Sequence, residues 1–155
     1  MRTSFHSLAA ALLLGGSTMV MAANDGQARV SEPLSSSPEY RQTWTSVVKK
    51  EERLPDWVIN LSGASEQQMQ AVTEEGKPFI VGPLCETKDS CKSKRLIVAF
   101  SLDKDDAYAM LVEVPAGLPS DKSPTRHATY RFLGDPDEGM KKLLDEELRK
   151  DPNWY

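Results

Sequence analysis

Apolar positions along this chain change period twice, from helical spacing to strand-like runs and back again. Tyr40, Trp44, Val47 and Val48 recur on one helix face, behind Ser37-Pro38-Glu39, which joins a capping residue, a first-position proline and a first-turn acid. This predicts a helix from Ser37 to about Arg53, because Pro55 restricts Leu54 and lacks the N–H of a further helical bond. At the other end, Asp135-Pro136-Asp137-Glu138 reads as an N-cap at Asp135, a first-turn proline and an acid three residues on. Met140, Leu143, Leu144 and Leu148 then form one apolar stripe, and Asp145, Glu146, Glu147, Arg149 and Lys150 fall largely on the opposite, solvated face.

Between the two helices the pattern is that of strands. Arg95 to Leu102 is nearly continuous in apolar character and rich in β-branched and aromatic residues, so it reads as a central strand. Lys104-Asp105-Asp106 is a turn, and Tyr108 to Val114, ended by Pro115, returns antiparallel. Ala116 to Arg126, with Gly117, Pro119 and Pro124, is a surface loop before a last strand from His127 to Leu133. Upstream, Leu54-Pro55-Asp56-Trp57-Val58 turns the chain, with Trp57 as a core anchor, and Gly63 loosens it. Residues 65–73 fit two templates: a short helix capped by Ser65, or a strand from Met69 to Thr73. The strand would return through Glu75-Gly76-Lys77 to Phe79-Ile80-Val81, and this hairpin is the preferred reading. The whole is an α+β layout. An antiparallel sheet of four to five strands carries an N-terminal and a C-terminal helix on one face or at its ends.

Met1 to Ala23 has the order and size of a secretory signal peptide. One basic residue, Arg2, precedes the apolar run Leu8 to Leu14, and small residues lead to cleavage after Ala22. That run is too short to span a bilayer, and neither a second one nor a lipidation cysteine at the cleavage point offers an anchor. The expected organisation is a leader over 1–22, a polar, flexible arm over 23–36, and a single domain over 37–155 exported to a bacterial periplasm. The chain has 19 basic and 23 acidic residues, so losing Arg2 leaves 18 against 23, a net charge of −5. This argues against nucleic acid or an anionic membrane as target, and draws the protein toward basic partners.

Export gives the two cysteines their meaning. Cys85 and Cys91 enclose Glu86, Thr87, Lys88, Asp89 and Ser90 between two strand-like runs, and outside the cytosol such a pair is expected to be oxidised. A metal site would need more ligands than His127, the single histidine left after cleavage, can add, so neither metal nor cofactor is expected. Closing so small a ring stabilises a fold by roughly 2 kcal/mol. The larger effect is local, because a pre-shaped loop loses little entropy on meeting a partner. Glu86 to Ser90 are therefore the candidate partner-binding residues of a bridged hairpin loop.

Catalytic chemistry finds little support. His127 has no diagnostic motif around it, and the neighbouring acids Asp105-Asp106 and Glu146-Glu147 have no environment that would split their pKa values. There is no glycine-rich phosphate loop either. A binding or inhibitory protein is the expectation, rather than an enzyme.

The strand Phe79-Ile80-Val81, the bridged charged loop and the strand Arg95-Leu96-Ile97-Val98 resemble the inhibitor of vertebrate lysozyme family. Leu54-Pro55-Asp56-Trp57-Val58 is similar to that family's Leu-Pro-x-Trp-Val. The resemblance covers most of the mature chain, and its specific motifs cover these two segments. It implies a periplasmic protein that pushes the bridged loop into the cleft of c-type lysozyme or a lytic transglycosylase, and it makes a homodimer possible. Lysozyme-inhibiting members carry Cys-Lys-Pro-His-Asp-Cys, whose histidine meets catalytic carboxylates. Here Cys85, Asp89 and Cys91 match, Lys88 falls where the histidine would be, Glu86 and Thr87 replace lysine and proline, and Ser90 is inserted. The spacing looks like a paralogous branch with Cys-Glu-x-x-Asp-x-Cys. Two functions stay open: a muramidase inhibitor, and a non-inhibitory periplasmic binding module of the same fold with another partner. The role of Trp154 and Tyr155, docked on their own domain or placed in a dimer contact, also stays open.

Overall fold

Five antiparallel strands form one meander in which every strand pairs with its neighbours in sequence: β1 (Gln70–Glu74), β2 (Lys77–Cys85), β3 (Lys94–Ser101), β4 (Ala107–Glu113) and β5 (Thr129–Leu133). The structure is a computed structural model that describes residue 30 and residues 32–65, 67–119, 121–152 and 154. The expected leader, most of the expected arm, and Tyr155 lie outside the described residues.

Residues 69–73 resolve in favour of the hairpin. Glu74 pairs with Lys77 across a two-residue turn, and both Glu75 (φ 51°) and Gly76 (φ 78°) have the positive φ that a tight hairpin of this length demands. Glycine adopts it without strain, and the glutamate at the preceding position is why no Asn-Gly signal marked the turn in advance.

The sheet is covered on both faces. Leu96, Val98 and Phe100 of β3 point toward α2 (Pro38–Val48) and α3 (Asp56–Ile59), where they meet Tyr40, Trp44, Trp57 and Val58. Ile97 and Ala99, one residue out of phase, join Met110, Val112, Met140, Leu144, Leu148 and Trp154 under α5 (Glu138–Arg149). The helices thus lie on opposite faces rather than on one face or at the ends. The cause is the run Leu96–Phe100, apolar at both parities, which needs a cover on each side. Each of Leu144 and Leu148, fully buried, contributes about 2 kcal/mol of transfer free energy before conformational entropy is subtracted. On the other face the ring of Phe100 meets Tyr40 at 5.1 Å and Trp44 at 6.1 Å, both edge-on. The Trp44 indole N–H donates to the carbonyls of Val58 (3.1 Å) and Ile59 (3.0 Å), tying α2 to α3.

Three element ends differ from expectation. α2 stops at Val48 instead of near Arg53, because the stripe ends there and the next five residues are all charged, with nothing to bury. α5 is capped by Asp137, whose carboxylate accepts the Met140 N–H at 2.8 Å, and not by Asp135. Gly134 and Asp135 both take positive φ in leaving β5, so helical geometry begins only after Pro136. His127 does not open a strand: it ends the one-turn α4 (Pro124–His127), with Nδ1 3.0 Å from the Ser123 carbonyl. Finally, Glu32–Ser36 form a short helix, α1, that packs on α2 with Pro33 buried, and Val30 reaches the core. The last part of the stretch expected as an arm therefore belongs to the domain.

Candidate partner-binding site

Cys85 ends β2 and is bonded to Cys91, so the five residues between them form a closed loop at one end of the sheet. Two supports hold its base. Ala64 and Cys85 exchange a pair of backbone hydrogen bonds, each 2.8 Å, which extends the ladder beyond β1. Gly63 makes this possible: a Cβ there would overlap the Cys85 carbonyl oxygen. Its role is close backbone approach, not the loosening expected of it. On the far side Ser93 donates to Ser90 O at 2.9 Å, Lys94 donates to the same oxygen at 2.8 Å, and Val114 donates to Ser93 O at 2.8 Å.

Within the loop the five candidates divide by role. Ser90 turns inward: its Oγ accepts the Thr87 N–H at 2.8 Å and lies 3.1 Å from the Thr87 carbonyl, while its own N–H reaches that carbonyl at 3.2 Å. The inserted residue closes the turn. Glu86 is half-buried and its carboxylate pairs with Lys94 at 3.3 Å, so its charge is matched inside the molecule. Thr87, Lys88 and Asp89 are exposed, and they form the presented surface of the loop.

A residue outside the loop fixes its far end. The Arg95 guanidinium, 6% exposed, donates from Nε to the Cys91 carbonyl at 2.7 Å and from Nη1 to the Asp151 carboxylate at 2.7 Å. Its Cζ sits 5.1 Å from the centroid of the buried Trp154 indole. Trp154 is thus docked on its own domain, and it also meets the Tyr130 ring edge-on at 6.5 Å. Arg95 is the opening basic residue of the second strand motif, but its partner Asp151 lies 56 residues further on, and no local pattern pairs them.

Between the loop and the C-terminal end of α5 runs a cleft of about 360 Å³. Lys88 forms part of one wall, Glu147 and Lys150 part of another, and Arg95 lies between. Of His127 and the acid pairs 105–106 and 146–147, Glu147 alone lines this cleft, so these groups do not converge on it. Among the described residues no group of three or more metal-ligating side chains comes together, and no helix is long and apolar enough to cross a membrane.

A family described as inhibitor of vertebrate lysozyme (Ivy) matches residues 39–150. The chain is 50% identical over 153 residues to an uncharacterized protein of Pseudomonas aeruginosa, covering 97% of each. It is 37% identical over 123 residues to the inhibitor of vertebrate lysozyme of the same organism, covering 78% of each. An uncharacterized protein of Yersinia pestis is 33% identical over 134 residues, 81% of this chain and 86% of that one.

Proposed function

The chain belongs to the inhibitor of vertebrate lysozyme family, and from that premise we infer that it is an exported inhibitor of lysozyme or a related muramidase. The Cys85–Cys91 loop is the part that occludes the enzyme's cleft. The observation that carries this reading is the division of labour within the loop. Ser90 turns inward and Glu86 is half-buried against Lys94, whereas Lys88 and Asp89 are exposed and are what an incoming partner meets first.

Glycoside hydrolases of this kind work through two carboxyl groups flanking the scissile bond. An ammonium group inserted between them finds the charge it needs, and truncating a well-placed, desolvated charge pair of this kind costs about 2 to 5 kcal/mol of binding. Glu86 would oppose such an approach if it were bare, but Lys94 balances it at 3.3 Å. The bridge and the Arg95 clamp hold the loop in one shape, which limits the entropy lost on docking. The leader expected over residues 1–22 supports export to the periplasm, where a lytic transglycosylase of the cell itself is the alternative target to a host lysozyme. A homodimer is part of this reading and is tested by light scattering.

A second reading rests on the loop's letters. With Lys88 in place of a histidine and the pattern Cys-Glu-x-x-Asp-x-Cys, the chain sits in a branch whose loop serves a different partner. The two readings separate in one experiment: titration of the protein into lysis assays run with c-type lysozyme and with lytic transglycosylases. Inhibition of any of these enzymes supports the first; none across the panel leaves the second.

A further inference from the structure

We propose that Trp154 is a positioning residue for the bridged loop, and that it acts through Arg95. This rests on the reading of the loop as the partner-binding surface, and adds what holds that surface in shape. The disulfide fixes the loop at its two sulfurs. Where the chain leaves the loop for β3, the Ser90 carbonyl is held by the Ser93 and Lys94 amides, and the Cys91 carbonyl next to it by Arg95 Nε at 2.7 Å. That last bond sets the direction of the Cys91 peptide, and so how the loop stands on the sheet.

An arginine side chain has much rotamer freedom, and its planar fork aims its donors only where the plane itself is held. Asp151 holds one arm of the fork, through Nη1 at 2.7 Å. The Trp154 indole supplies a seat, with Cζ lying over the ring 5.1 Å from its centroid. Both side chains are buried, so the attraction between cation and ring face acts away from water. With these two restraints in place, Nε is left pointing at the Cys91 carbonyl.

The seat is firm. The Trp154 N–H donates to the Asp151 carbonyl at 3.1 Å, Tyr130 meets the indole edge-on, and the ring belongs to the same buried cluster as Ile97, Val112 and Leu148. A tryptophan that only fills a core can be replaced by another large apolar side chain. One that orients a guanidinium needs its aromatic face.

The test uses that difference. Trp154→Leu and Trp154→Met keep apolar bulk without an aromatic face, and Trp154→Phe keeps a face. Met140→Ala truncates the same cluster near the far end of α5. Nuclear magnetic resonance of the oxidised protein reads the Arg95 Nε–H signal and the amide shifts from Thr87 to Cys91. In Trp154→Leu, or in Trp154→Met if the first does not fold, the Nε–H exchanges with water about tenfold faster and the loop amides move. Trp154→Phe restores most of both, and Met140→Ala changes neither although it lowers stability. Against an enzyme that the protein inhibits, the leucine or methionine variant is about tenfold weaker, and the phenylalanine variant is closer to wild type.

The proposal is overturned if loss of the aromatic face leaves the Nε–H and the loop amides as they are in wild type. Shifts of the same size in Trp154→Phe or in Met140→Ala overturn it too, as does unchanged inhibition in the leucine or methionine variant. The loop signals are read with no enzyme present. A wild-type protein that inhibits nothing therefore counts against the inhibitory reading alone, and the positioning role is still decided by the spectra.

Discussion

Arg95 on β3 and Asp151 just past α5 are joined by a 2.7 Å hydrogen-bonded ion pair that spans 56 positions of sequence and anchors the bridged loop through the Cys91 carbonyl. Removing the arginine deletes the ion pair to Asp151 and takes the guanidinium donor from the half-buried Cys91 carbonyl. Arg95→Ala should lower unfolding stability by roughly 3 kcal/mol, read from the urea midpoint at constant slope. It should also weaken partner binding, while Arg95→Lys restores part of the stability and less of the loop geometry, having one donor site where two are needed. Wild-type stability in Arg95→Ala would show that the clamp carries no weight.

Gly63→Ala should be as informative as any loop substitution. The added methyl meets a backbone oxygen, which cannot rotate away, so the Ala64–Cys85 pairing must open. A loss of about 1 to 3 kcal/mol is expected, together with changed amide shifts from Cys85 to Cys91. Unchanged shifts would mean that the base of the loop yields without consequence.

Breaking the bridge should be milder for the fold than for the function. The double substitution Cys85→Ser and Cys91→Ser should reduce stability by about 2 kcal/mol and leave the cooperative transition intact, since the Ala64 pairing and Arg95 still hold the base. Calorimetry measures this directly. Collapse of the fold would contradict the local role assigned to the disulfide.

At the opposite end of the sheet, acid dependence should be visible at Asp103. Its carboxylate accepts from Ser101 Oγ at 2.6 Å and from the Asp105 N–H at 3.0 Å, and it pairs with Lys77 at 3.1 Å. These hold its pKa at about 2, against an ordinary 3.8. A depressed folded-state pKa contributes stability above the ordinary value that disappears as pH falls through the folded one. Asp103→Asn should therefore be less stable than wild type at neutral pH, with the gap closing as pH drops from 3.8 toward about 2. A gap that stays constant over that window would refute the assignment.

The strands and both long helices were legible because their signals are local: β-branched runs for β2 to β4, and a stripe at helical spacing for α2 and α5. Which face each helix covers was less plain, although the two-parity apolar run 96–100 already required two covers. The helix ends depended on what lay beyond them, a run of charges after Val48 and the left-handed Gly134-Asp135 turn before α5. At the candidate site the bridge and the exposed Lys88 and Asp89 could be read from spacing and export. The inward turn of Ser90 could not, because a polar loop residue carries no mark of which way it faces, and neither could the Glu86–Lys94 pair and the Arg95–Asp151 clamp, which form only once the elements are packed.

The inhibitory reading turns on Lys88, and one titration reaches it. Bacterial lysis by c-type lysozyme and by lytic transglycosylases should slow in proportion to added protein and reach its limit near one equivalent for at least one enzyme. Lys88→Ala should lose about 2 kcal/mol or more of that affinity, roughly thirtyfold, with its own fold unchanged. Full lytic activity across the panel with wild-type protein in excess, or equal inhibition by wild type and Lys88→Ala, would contradict the account.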